Sequence, residues 1–76
     1  QSFIKIQIYS GIRLGAETAL DNFKTDFPEL TVEMTYETPN YKIWVGKFRT
    51  QLEADRGLRL VRTRFPNAFL VKPKKS

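Results

Sequence analysis

The chain has 76 residues, room for one small domain and not for a second. Hydrophobic residues make up 41% and charged residues 28%, a globular balance with no apolar run near the ~20 residues of a membrane span. Cysteine and histidine are both absent, which excludes disulfide frameworks, Cys/His zinc sites, thiol nucleophiles and Ser-His or Cys-His catalytic pairs. The net charge of +5 is unevenly spread: through Thr38 the basic residues Lys5, Arg13 and Lys24 face six acidic ones, whereas from Pro39 onward ten basic residues face only Glu53 and Asp55. Such a split suits an anionic partner, or two oppositely charged elements packed side by side. The start at Gln1 suggests an excised fragment with a signal peptide or anchor upstream.

In chain order, apolar residues alternate at Ile4, Ile6 and Ile8, the period of a half-buried strand. Ala16, Leu20, Phe23 and Phe27 follow at spacings of 4, 3 and 4, one stripe of an amphipathic helix. Pro28 disfavours helical geometry at Phe27 and should end that helix. A short strand is expected from Leu30 to Tyr36, then a turn at Thr38-Pro39-Asn40. Tyr41, Ile43 and Val45 alternate as a third strand, and Thr50-Gln51-Leu52-Glu53 has the pattern of a capping box. The second helix carries Ala54, Leu58, Val61 and Phe65 and should stop at Phe65-Pro66. A last strand is expected from Ala68 to Lys72, closed by Pro73, and residues 74–76 form a basic tail.

The chain is one motif written twice. A shift of 37 residues lays Ile4 to Ile8 on Tyr41 to Val45, and a shift of 38 lays Leu14, Ala16, Leu20, Phe23, Phe27 and Pro28 on Leu52, Ala54, Leu58, Val61, Phe65 and Pro66. Two repeats, 3–36 and 41–72, thus build a single domain, 3–73, of order β-α-β-β-α-β. Right-handed crossovers turn this into an α+β, ferredoxin-like or RNP-like fold: a four-stranded antiparallel sheet of order 4-1-3-2 with both helices on one face. The helices run antiparallel, one bearing Glu17, Asp21 and Asp26 and the other Arg56, Arg59, Arg62 and Arg64. Part of the charge split is therefore expected to be pairing between helices.

Alternation assigns the opposite residues to the open face: Phe3, Lys5, Gln7 and Tyr9 on strand one, Lys42, Trp44 and Gly46 on strand three, Thr31, Glu33 and Thr35 on strand two, Asn67, Phe69 and Val71 on strand four. Trp44 beside Gln7, with Phe69 on the next strand, makes an aromatic platform flanked by polar groups and lysines. An exposed patch of this kind marks a binding surface.

The stretch Phe3 to Gly11, then Tyr41 to Phe48 followed by Glu53-Ala54 and Leu58, resembles the two strand-to-helix signatures of the SPOR domain (sporulation-related repeat), over nearly the whole chain. The resemblance implies a bacterial periplasmic module that binds peptidoglycan, specifically denuded glycan strands stripped of stem peptides at the division septum, as part of a larger protein. Gln7 matches the family's recurrent first-strand glutamine and Ser10 the serine after it, while Trp44 and Phe69 occupy sheet positions that are often apolar or aromatic. Tyr9 departs from the glycine or serine common there. Such a ligand alternates N-acetylglucosamine with a lactyl-bearing sugar ending in a free carboxylate. Trp44 and Phe69 would stack on sugar faces, Gln7, Ser10, Thr31 and Asn67 would hydrogen-bond acetamido groups, and Lys5, Lys42 and Arg13 would meet the carboxylates. The expected domain is a monomer that binds without cleaving, needs no cofactor or metal, and makes no membrane contact itself.

The main alternative is a single-stranded RNA-binding module, because RNA-recognition domains share this strand order and stack bases on the same central strands. Their strand-three signature is not met by Asn40 to Phe48. Acylphosphatases also share the architecture and use an arginine where Arg13 stands, but their strand-three asparagine is missing from Ile43-Trp44-Val45. No carboxylate pair converges as glycoside hydrolysis requires. A small-molecule regulatory dimer pairing its open sheet with its own copy is a third class.

Overall fold

The computed structural model describes residues 3–73, so the basic tail at 74–76 lies outside the described residues. Six elements follow in the expected order: β1 (Ile4–Gly11), α1 (Arg13–Asp26), β2 (Val32–Glu37), β3 (Asn40–Phe48), α2 (Gln51–Val61) and β4 (Phe69–Val71). The strands form one antiparallel sheet in the order β2-β3-β1-β4, which is 4-1-3-2 read from the other edge. With α1 against β1, β2 and β3 and α2 against β1, β3 and β4, this is the ferredoxin-like α+β arrangement.

The helical stripes make the core. Ala16, Phe23, Ala54 and Val61 are completely buried, as are Ile6, Ile43 and Val45 from the two central strands. Phe23 sits at the centre, its ring 5.1 Å from that of Phe27 and 5.8 Å from that of Phe65. No polar or charged side chain is fully buried among the described residues, so this face of the sheet is held mainly by apolar contact. The Thr50 hydroxyl accepts from the Glu53 N–H at 3.1 Å, and the Glu53 carboxylate accepts from the Arg49 N–H at 3.3 Å. The capping box therefore forms, with its return bond one residue earlier than the usual pattern. Helix α1 has Ile12 at its N-cap with no side-chain cap bond.

Element ends differ from the sequence reading in three places. Helix α2 stops at Val61 rather than Phe65, because the chain tightens into turns: Thr63 N–H bonds the Leu60 carbonyl at 3.1 Å and Arg64 N–H the Val61 carbonyl at 3.0 Å. The Thr63 hydroxyl also donates to Leu60 O at 2.7 Å, occupying a carbonyl that an α-helical continuation would have used. Strand β2 begins at Val32, leaving Thr31 ahead of it, and β4 has three residues. Glu37 pairs with Asn40 across the Thr38-Pro39 turn, whose peptide bond is cis.

Two β-bulges alter which residues face the helices. Between the pairs Gln7 with Trp44 and Tyr9 with Ile43, β1 carries one extra residue. Tyr9 therefore shares a face with buried Ile43, and not the open face that alternation predicts. Its ring lies against Gly15 of α1, where a methyl group would collide with it, and its hydroxyl donates to Ile12 O at 3.2 Å. The second bulge is in β3, where the four residues from Val45 to Phe48 oppose the three from Ile6 to Ile4. Gly46 takes φ +79° there, a left-handed conformation that favours glycine. Phe48 consequently turns to the helix side and packs on Gly57 of α2. Each half of the molecule thus has a bulge that swings an aromatic ring onto a helical glycine.

The expected pairing between helices is absent among the described residues. Arg13 bonds Glu17 one turn along its own helix at 3.1 Å, and Gln51 donates to Asp55 at 2.8 Å. Arg56 and Arg59 stand on the side of α2 opposite buried Ala54 and Val61 and are exposed. The stripe that packs α2 on the sheet dictates this orientation, and it points the basic residues at solvent rather than at α1.

Candidate binding groove on the open face of the sheet

The strand register sets four side chains in one row across the sheet: Phe69 of β4, Gln7 of β1, Trp44 of β3 and Glu33 of β2. Trp44 is half-buried, and its indole N–H donates to Gln7 Oε1 at 2.9 Å. That bond orients the ring and leaves the Gln7 amide N–H groups as donors towards a ligand. Phe69 is 49% exposed, a large apolar side chain at the edge of the row.

Phe69, Gln7 and Trp44 of this row form the floor of a groove of about 830 Å³. Phe3, Lys5 and Val71 extend it towards Lys72 and Pro73 at one end, and Lys42 and Glu37 close the other. On the far flank of Trp44 lies a smaller cleft of about 150 Å³, to which Thr31, Glu33 and Lys47 contribute. Trp44 is the one residue shared by both, so the indole is the ridge between them.

Two of the three lysines that line the groove, Lys5 and Lys42, are paired. Lys5 Nζ reaches from β1 over β3 to Glu33 Oε2 of β2 at 2.7 Å, passing 5.0 Å from the centre of the Trp44 ring. Lys42 Nζ bonds Glu37 Oε1 at 2.8 Å. The groove therefore combines an aromatic floor with three cations, Lys5, Lys42 and Lys72, and the Glu37 carboxylate, while Glu33 lies across Trp44 in the smaller cleft. Neither carboxylate was among the expected ligand-contacting residues, although Glu33 was placed on the open face. Their signal was present, because the two-residue Thr38-Pro39 turn places Glu33 directly opposite Trp44.

The expected ligand-contacting residues do not all converge. Gln7, Trp44, Phe69, Lys5 and Lys42 line the groove, and Thr31 lines the smaller cleft while its carbonyl accepts from the Gly46 N–H at 2.9 Å. Ser10 is exposed opposite Lys42, one row beyond the aromatic floor, and lines neither space. Asn67 lies in the exposed turn before β4 and also lines neither. Arg13 is in the first turn of α1, bonded to Glu17, in the helical layer rather than on the open face.

The floor offers a flat apolar surface with amide donors beside it, an arrangement suited to a ring-shaped ligand with polar edges. The walls add charge of both signs. The chain matches no protein-family model, no curated protein and no solved structure.

Proposed function

We propose that the domain binds carbohydrate without cleaving it, and that its ligand is the denuded glycan of bacterial peptidoglycan, as the SPOR-like pattern of the sequence implies. The observation that carries this reading is the row Phe69, Gln7 and Trp44 along the floor of the open-face groove. Sugar rings present apolar faces that stack on indole and phenyl groups, and their acetamido groups suit the Gln7 amide. Lactyl carboxylates, exposed once the stem peptides are gone, suit Lys5 and Lys42. On this reading the module serves a periplasmic protein of the division septum.

The distribution of charge favours a glycan over single-stranded RNA. A polyphosphate tract needs a positive channel along its path, yet two of the groove's three lysines, Lys5 and Lys42, are paired with Glu33 and Glu37. The exposed Arg56 and Arg59 of α2 belong to the opposite layer of the molecule.

The test is a pull-down with three preparations of cell wall. Amidase-treated wall should retain the domain far better than untreated or lysozyme-digested wall. Equal retention by all three would reject the reading. Single-stranded RNA should bind weakly and be released steeply by salt, as nonspecific phosphate contact requires; tight RNA binding that resists salt would favour the alternative.

A further inference from the structure

We infer that Glu33 and Glu37 are built-in competitors, occupying in the free domain the two cationic positions that a ligand's carboxylates take over on binding. The inference rests on reading the open face as a glycan groove. It adds a selection rule: the groove favours glycans that carry carboxylates on both sides of Trp44.

The asymmetry of the two ion pairs supports this. The side chains of Lys5 and Lys42 are 25% and 26% exposed, whereas those of Glu33 and Glu37 are 48% and 50% exposed. In each pair the cation is the more enclosed member and the carboxylate the more accessible one. Lys5 has a second hold on its position through the Trp44 ring face, 5.0 Å away, which persists when Glu33 leaves. Exposed ion pairs contribute little to stability, so exchanging one carboxylate for another costs the fold almost nothing.

Placement supplies the selection. Lys42 is two residues along β3 from Trp44, and Lys5 is two residues along β1 from Gln7, the partner of Trp44, in the opposite direction. Their Cα positions are thus separated by about four residues of strand, roughly 13 Å, and their ammonium groups by less because Lys5 leans back over Trp44. A neutral glycan leaves both glutamates in place. A glycan with one carboxylate per disaccharide can replace both while its rings lie along the groove against Phe69, Gln7 and the part of Trp44 that Lys5 leaves open. The competition also opposes random binding of polyanions, since each displaced glutamate stays nearby as a like charge.

The experiment compares the unmodified domain with Glu33→Gln, Glu37→Gln and the double variant by titration with three oligosaccharides. Denuded glycan tests the proposed ligand. A hyaluronan tetrasaccharide, which alternates N-acetylglucosamine with glucuronate, tests carboxylate exchange independently of peptidoglycan. Chitotetraose is the neutral control. Each single variant should bind the two carboxylated ligands roughly threefold more tightly and the double variant roughly tenfold, with chitotetraose binding unchanged. Thermal melting should show all four proteins folded, since both substitutions are at half-exposed surface positions.

Unchanged or weaker binding of the carboxylated ligands by the double variant would overturn the inference, as would an equal gain for chitotetraose. If the unmodified domain ignores denuded glycan, the peptidoglycan reading fails and the hyaluronan series alone decides the exchange. If no variant binds any of the three, both ideas fall.

Discussion

The two faces of the sheet are built from alternate residues of the same strands, yet they solve opposite problems. On the helix side Ile6, Ile43 and Val45 are fully covered, and no polar side chain is fully buried with them among the described residues. On the open side the central positions are Gln7 and Trp44, joined by a hydrogen bond, with Lys5 and Lys42 tied to glutamates of the edge strand. The first face gains stability from area removed from water, which is non-directional and tolerates little loss of volume. The second is held by polar and charged contacts that are individually weak, so its residues can change partners without disturbing the fold. On the proposed reading, what sets the open face apart is exchangeable pairing around an aromatic floor, not exposure alone.

The largest test of this contrast is Phe23→Ala. Phe23 is fully buried between Phe27 and Phe65, so its truncation should cost about 3–5 kcal/mol in urea denaturation. A loss below about 1 kcal/mol would mean that the helix side is not the core.

Trp44→Ala comes next and should separate the faces in the other direction. Glycan binding should weaken by about 2 kcal/mol while the domain remains folded. Gln7→Ala should have a milder effect, about 1 kcal/mol in binding, since it removes the bond that orients the indole. Calorimetric titration and thermal melting read the two quantities separately. If Trp44→Ala abolishes folding while leaving binding by the surviving fraction intact, the assignment of the open face collapses.

The smallest effect sharpens the comparison at its boundary. An alanine in place of a helical glycine ordinarily stabilises by about 1 kcal/mol. At Gly57, however, the added methyl group would meet the Phe48 ring, and overpacking costs about 1–3 kcal/mol. Gly57→Ala should therefore be net destabilising, by about 1 kcal/mol in a urea melt. A stabilised variant would show that the ring can withdraw, and that the bulge in β3 does not lock it against α2.

The strand order was legible because two independent signals agreed. The doubled strand-helix pattern supplied the element sequence, and the handedness of crossovers left one plausible arrangement. The aromatic floor was legible for a related reason, since Gln7 and Trp44 are repeat partners on the two central strands. The bulges were not. An extra residue in β1 leaves no mark in a run of alternating side chains, so Tyr9 read as an open-face residue until its pairing with Ile43 was seen. Gly15 and Gly57 were the overlooked trace, small residues in helices otherwise built from larger ones. The ion pair between Lys5 and Glu33 was hidden because it joins β1 to β2 across an intervening strand. Spacing along the chain carries no information about a reach of that kind. Arg13 was drawn towards the site by its place in a loop-to-helix junction, and its bond to Glu17 shows how local pairing within a helix can claim a cation first.

The order β2-β3-β1-β4 also governs cooperativity. In the first repeat β1 and β2 are not neighbours, and in the second neither are β3 and β4. Every strand pair in the sheet therefore joins one repeat to the other. Divided at the Thr38-Pro39 turn, the chain would yield two segments, each with a helix and two strands but without a single native ladder between them. The repeats are copies in sequence but not folding units. Interleaving them makes the domain all-or-none, and the groove, whose floor draws on both repeats, exists only when both have folded.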